Sequence, residues 1–186
     1  MPISINQIKS GLTILLDNSV FSIVGYQHVK PGKGSAFVRI KLKNLKTDAV
    51  IERTLKSDDK ITEAFIDEKK LTYLYRSGDF FHFMDQNTFE ESIISKEHLK
   101  DAIVFLKDNL EVSAYYYNHK LIKIILPNFI DFKIVHTEPG IKGDTAKSVL
   151  KPAQVETGAT VQVPLFINEG DIVRVDTRTS QYISRV

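Results

Sequence analysis

The segment Pro31-Gly32-Lys33-Gly34-Ser35-Ala36-Phe37-Val38-Arg39-Ile40-Lys41-Leu42-Lys43-Asn44 decides the fold class. Val38, Ile40 and Leu42 alternate with Arg39, Lys41 and Lys43, and a period of two places each set on one face of a strand. The apolar face can pack on a core while the cationic face meets solvent or phosphate. Upstream, Ser19 to Gln27 is rich in residues that favour strands. Between the two runs, Pro31 fixes φ and Gly32 and Gly34 permit positive φ, so Lys30 to Ser35 reads as a hairpin loop. Lys33 is expected at its tip, with no side chain on either neighbour.

Further along, Leu71 to Tyr75 runs into the turn Arg76-Ser77-Gly78-Asp79 and then into Phe80 to Met84. Helical spacing of Leu99, Ala102, Ile103 and Leu106 behind a capping Ser95 predicts a helix over 95–106. Strands are expected at Val112 to Tyr117, Lys120 to Leu126, Phe129 to Thr137, Thr160 to Ile167 and Asp171 to Asp176. Pro127-Asn128 marks a boundary, and Glu138 to Lys147 is a polar stretch containing Pro139, Gly140 and Gly143. Short strands with regular turns indicate an all-β chain of three consecutive small β-barrel domains, 1–64, 65–127 and 128–186. A five-stranded oligonucleotide-binding (OB) type barrel fits each of the last two by length.

Charge sharpens the division. Of 25 Lys+Arg and 23 Asp+Glu in 186 residues, residues 1–64 hold ten against six, 65–127 eight against ten, and 128–186 seven against seven. Lys30, Lys33, Arg39, Lys41, Lys43 and Lys46 follow one another without an intervening acid. Cysteine is absent, which removes disulfides, Cys-ligated zinc and thiol nucleophiles. The beginning Met1-Pro2-Ile3-Ser4-Ile5-Asn6 lacks a signal-peptide pattern, and every apolar run is far shorter than the ~20 residues of a membrane helix. A cytoplasmic protein without membrane contact is expected.

Catalytic chemistry is not legible. The histidines 28, 82, 98, 119 and 136 lie in different segments and none shows metal-pair spacing, so neither a metal nor any other cofactor is expected. The acids Asp58-Asp59, Asp67-Glu68 and Glu90-Glu91 are sequence neighbours, which in strands face opposite ways. Gly32-Lys33-Gly34-Ser35 lacks the upstream glycine and following helix of a phosphate-binding loop. Tyr73, Tyr75, Phe80, Phe81, Phe83 and Tyr115-Tyr116-Tyr117 read as core, with a base-stacking surface as the alternative. A lysine cleared by small neighbours and beside a cationic strand face suits insertion into a narrow polyanionic site, and RNA is the natural polyanion. An exposed amine there can also be lengthened by a modifying enzyme.

These segments resemble bacterial translation elongation factor P. The likeness runs through Pro31 to Asn44, Tyr73-Leu74-Tyr75, Gly78, Phe83-Met84-Asp85, Gly143-Asp144-Thr145-Ala146 and Lys151-Pro152-Ala153. It continues in Gly158, Val161, Val163-Pro164, Ile167 and Gly170. The resemblance implies an L-shaped, tRNA-like arrangement of an SH3-like barrel and two OB barrels. It implies binding to the ribosome between the peptidyl-tRNA and exit sites, and relief of stalling at consecutive prolines by positioning peptidyl-tRNA, without intrinsic catalysis.

By the same resemblance Lys33, framed by Pro31, Gly32 and Gly34, is the post-translationally modified residue, read by a lysine-modifying enzyme. Lys30, Arg39, Lys41, Lys43, Tyr182 and Arg185 are implied to contact tRNA or rRNA, and Gly143, Asp144, Thr145 and Ala146 the exit-site codon. An elongated monomer fits such a slot. Two rival readings are a general single-strand RNA binder using the aromatics and a free-standing enzyme, for which no nucleophile or acid–base pair is found.

Overall fold

The structure, a computed structural model, describes residues 2–30, 32, 36–56, 59, 61–139 and 150–186. The first third forms strands β1 (Pro2–Ile3), β2 (Thr13–Leu16), β3 (Ser19–Val29), β4 (Phe37–Asn44), β5 (Val50–Lys56) and β6 (Ile61–Glu63). They make one antiparallel sheet in the order β1-β6-β2-β3-β4-β5. Val38, Ile40 and Leu42 of β4 are 0%, 1% and 0% exposed, so the alternation read from the sequence does bury one face. Ile5, Ile8, Ile14, Phe21, Ile23, Leu55 and Ile61 complete that core. Asp17 and Asn18 turn β2 into β3 with φ of 48° and 59°, the paired left-handed residues that a two-residue hairpin turn demands.

The second sheet has the order β11-β10-β7-β8-β9. Its strands are β7 (Asp67–Ser77), β8 (Phe80–Asp85), β9 (Glu91–Ser95), β10 (Glu111–Tyr117) and β11 (Lys120–Ile125). Gly78, at φ 62°, makes the β7–β8 turn. Leu71, Tyr73, Phe81, Phe83, Val112 and Ala114 fill the interior.

The helix expected over 95–106 is corrected. It is one α-turn, α1 (Lys96–Leu99), followed by a 3-10 stretch at Lys100–Phe105. The Ser95 hydroxyl makes no capping bond to the backbone and instead lies 3.0 Å from His98 Nδ1. Lys100, at φ 47° and ψ −121°, then breaks the α-helical run. The tighter path buries Leu99, Phe105 and Leu106, and this tertiary burial overrides a helical spacing that had no cap to hold it.

The third sheet has the order β14-β13-β12-β15-β16. It contains β12 (Phe129–Thr137), β13 (Leu150–Val155), β14 (Thr160–Pro164), β15 (Ile172–Asp176) and β16 (Gln181–Arg185). Ile130, Phe132, Ile134, Val155, Val161, Val163, Val173 and Val175 pack its inner face. β14 ends at Pro164 rather than continuing to Ile167: the Ile167 amide donates to Pro164 O at 3.1 Å, and the turn drops Ile167 into the core. Pro152 is tolerated in β13 because β12 pairs only with Ala153 to Val155, leaving no ladder bond for its missing N–H on that side.

The nearly all-β fold expected from the sequence is thus present as three successive sheets. By compactness the chain divides into two units, Met1–Glu68 with Tyr115–Lys123, and Lys69–Ala114 with Ile124–Val186. In the second unit, Phe105 packs on Phe132 at 6.0 Å, Lys107 Nζ lies 5.6 Å from the Phe132 ring centre and donates to Asp131 O, and the Thr157 hydroxyl donates to Val104 O. Among the described residues no helix is long and apolar enough to cross a membrane.

Candidate nucleic-acid interface

The hairpin β3–β4 sets three cations in a row. Cross-strand partners place Arg39 between Gln27 and Thr54, Lys41 between Gly25 and Glu52, and Lys43 between Ser22 and Val50. Their faces stay in step because a bulge between Ile23 and Gly25 absorbs Val24. Gly25 carries no side chain beside Lys41, whose Cβ lies 3.8 Å from where a glycine substituent would stand.

Arg39 and Lys41 are exposed, and the Arg39 guanidinium sits 5.8 Å from the Phe37 ring centre. Lys43 differs. Its Nζ is 3.0 Å from Asp48 Oδ1, and Lys123 pairs with the other oxygen of the same carboxylate. Partial burial raises the Asp48 carboxyl, but the hydrogen bonds and charges of Lys123 and Lys43 together hold it below the ordinary range. Lys30 is exposed at the end of β3, and Tyr26 and His28 meet edge to face at 5.5 Å. Gly32 is exposed; Pro31, Lys33 and Gly34 lie outside the described residues.

A second group lies on the third sheet. Tyr182 is half-buried on β16, and Arg185 is exposed with Nε 3.6 Å from Asp171 Oδ1. Gly143, Asp144, Thr145 and Ala146 fall outside the described residues, but the residues on either side of 140–149 are described. Buried Lys151 donates to Glu138 O at 2.7 Å, buried Thr137 donates its hydroxyl to Pro152 O at 3.0 Å, and Glu169 accepts the Thr137 amide at 3.2 Å. These bonds tie the end of β12 to the start of β13.

Sequence reasoning missed Arg178 in the β15–β16 turn. Its Nε and Nη2 donate to the two oxygens of buried Asp176 at 3.0 and 2.5 Å, and its guanidinium lies 5.8 Å from the Phe129 ring centre. Arg178 therefore holds the Asp176 carboxyl down at about 2. The i, i+2 spacing across a turn was the available signal.

The aromatics divide between two roles. Tyr73, Phe81 and Phe83 are core, with Tyr73 and Phe83 rings 5.3 Å apart, and Tyr115 to Tyr117 are half-buried. Tyr75 and Phe80 are exposed, and Tyr75 stacks on His82 at 4.3 Å and 12°. Among the described residues no cluster of three or more His, Asp or Glu could hold a metal ion.

Three family models match in chain order. A model described as Elongation factor P (EF-P) KOW-like domain covers residues 4–61, one described as Elongation factor P (EF-P) OB domain covers 66–124, and one described as Elongation factor P, C-terminal covers 130–185. A protein named Elongation factor P from Moorella thermoacetica is 54% identical over 183 residues, spanning 98% of this chain and 99% of its own. Its namesake from Natranaerobius thermophilus is 49% identical over 184 residues, spanning 99% and 98%.

Among solved structures, Eukaryotic translation initiation factor 5A from Methanococcus jannaschii superposes with a TM-score of 0.52 at 23% identity, over 67% of this chain and 94% of that one. A translation initiation factor eif-5a family protein from Naegleria fowleri gives a TM-score of 0.55 at 14% identity, over 68% and 98%. At these identities the two structures speak for the fold alone.

Proposed function

The chain belongs to the elongation factor P family of translation factors, and from that premise we propose that it binds the ribosome between the peptidyl-tRNA and exit sites and promotes peptide-bond formation at consecutive prolines. The observation that carries the reading is the outward cation row of β4. Arg39 and Lys41 are exposed on a strand whose other face is locked by Val38, Ile40 and Leu42, so their charges are presented at fixed spacing to a phosphate backbone. Full-length likeness at about half identity supports it.

In this reading residues 1–64, 65–127 and 128–186 act as three domains of a monomeric cytoplasmic factor. Lys33, between Gly32 and Gly34, enters the peptidyl-transferase centre beside the acceptor end of peptidyl-tRNA, and a lysine-modifying enzyme extends its reach. Lys30, Arg39 and Lys41 neutralise RNA phosphates. Lys43 contributes less because Asp48 already holds it. Tyr182 and Arg185 approach tRNA, and Gly143 to Ala146 approach the exit-site codon, between strands β12 and β13 that the bonds of Lys151 and Thr137 tie together.

The mechanism is positional. Proline is a poor donor and acceptor, and a mobile peptidyl-tRNA end makes the encounter rarer. Holding that end removes part of the entropic barrier without a protein acid, base or nucleophile, and each 1.36 kcal/mol gained is about tenfold in rate. The ribosomal RNA remains the catalyst.

The site assignment is tested by measuring affinity for ribosomes carrying peptidyl-site tRNA, with and without deacylated tRNA in the exit site. Competition by exit-site tRNA is expected. Undiminished binding beside it would place the protein elsewhere.

A further inference from the structure

Burying a polar group requires a compensating partner, so the few that are buried mark conformations the fold holds deliberately. Among the described residues they are Asp85, Thr137, Lys151 and Asp176. All four hold strand ends or turns. Thr137 and Lys151 tie the end of β12 to the start of β13, and Asp176 fixes Arg178. Asp85 builds the turn between β8 and β9. Its Oδ1 accepts the amides of Asn87 at 2.9 Å and Thr88 at 3.2 Å, and its Oδ2 takes Lys69 Nζ at 3.1 Å. Its backbone exchanges bonds with Phe89 and Glu90, at 2.9 Å each.

The product of this turn is Phe89, 73% exposed and held at φ 58°. A bulky aromatic in the left-handed region is a genuine outlier, where Asn or Gly would sit with less strain. An exposed ring adds little to the core, so fold stability explains neither its identity nor its backbone. A rigid, strained, solvent-facing aromatic is instead what a binding anchor needs.

We propose that Phe89 is a docking anchor that inserts into an apolar pocket on a basic protein of the ribosome. The partner's class follows from charge. Glu90 and Glu91 follow Phe89 in the chain, and residues 65–127 carry eight cations against ten acids, so this stretch favours a lysine- or arginine-rich protein over a phosphate backbone. Ile93 on β9 is also exposed, at 61%, and Glu91 lies 2.5 Å from His82 Nδ1. The inference rests on the ribosome-binding reading above.

Phe89→Asn and wild type are compared for thermal midpoint and for affinity to ribosomes carrying peptidyl-site tRNA. The variant is expected to keep or raise its midpoint while losing about tenfold or more in affinity. Equal affinity overturns the proposal, as does a loss of affinity that merely follows a lowered midpoint. A photo-crosslinking benzophenone side chain at position 89 is expected to link to ribosomal protein, and linkage to rRNA overturns the choice of partner. Failure of wild type itself to bind overturns the ribosome-binding reading and this one together, whereas an indifferent Phe89→Asn overturns only the anchor.

Discussion

At Asp48 two lysines share one carboxylate, while among the described residues the exposed Arg39 and Lys41 on the same hairpin form no ion pair, although Glu52 lies across from Lys41 on β5. That difference makes the cation row unequal. For a protein bound through phosphates, the logarithm of affinity falls with the logarithm of salt in proportion to the phosphates neutralised. Lys41→Ala is therefore expected to reduce the salt slope of ribosome binding by about one, and Lys43→Ala by clearly less. Equal slopes for the two variants would deny the distinction.

A second residue-scale prediction concerns Asp176. Its folded pKa of about 2 lies below the ordinary 3.8, so the stabilisation is complete above about 3.8 and is lost as pH falls towards 2. Asp176→Asn, which cannot titrate, is expected to flatten the loss of thermal midpoint between pH 4 and 2. An unchanged acid profile would count against the Arg178 pairing. Neither pair could be read in advance with equal ease. Asp176 and Arg178 are two residues apart, whereas Lys123 reaches Asp48 only because β11 and the connection between β4 and β5 are brought together.

Among elements, β4 was legible because its strict alternation survives as buried and exposed faces. Leu42, fully buried in the first core, is expected to cost about 2–5 kcal/mol when cut to Ala, measured by denaturant unfolding. β5 was not legible. In Val50-Ile51-Glu52-Arg53-Thr54-Leu55-Lys56 only Leu55 is buried, and the strand exists because β4 offers it a hydrogen-bonding edge. β16 depends likewise on β15.

The 95–106 segment failed in the opposite sense: its spacing was helical, but Lys100 had to leave the helical region for Phe105 to reach Phe132. Lys100→Gly suits φ 47° and ψ −121° better than lysine does. It is expected to raise the thermal midpoint, by on the order of 1 kcal/mol of stability. A lower midpoint would show that the lysine side chain itself stabilises the turn.

For the whole molecule, the family membership rests on relatives that span nearly the full chain, and the three sheets follow the three matched family models in order. Composition and missing catalytic patterns narrowed the function, but the positions of Lys33 and of Gly143 to Ala146 lie outside the described residues, so their roles must be tested by activity. The most direct measurement is translation in a reconstituted system on a message encoding three consecutive prolines. The added protein is purified from its own host as wild type or Lys33→Ala, each shown to be folded by its thermal midpoint. Wild type is predicted to relieve the stall, and the variant to leave it in place with an unchanged midpoint. A folded, host-purified wild type that leaves the stall untouched on matched ribosomes, or a Lys33→Ala that relieves it equally, would contradict the account.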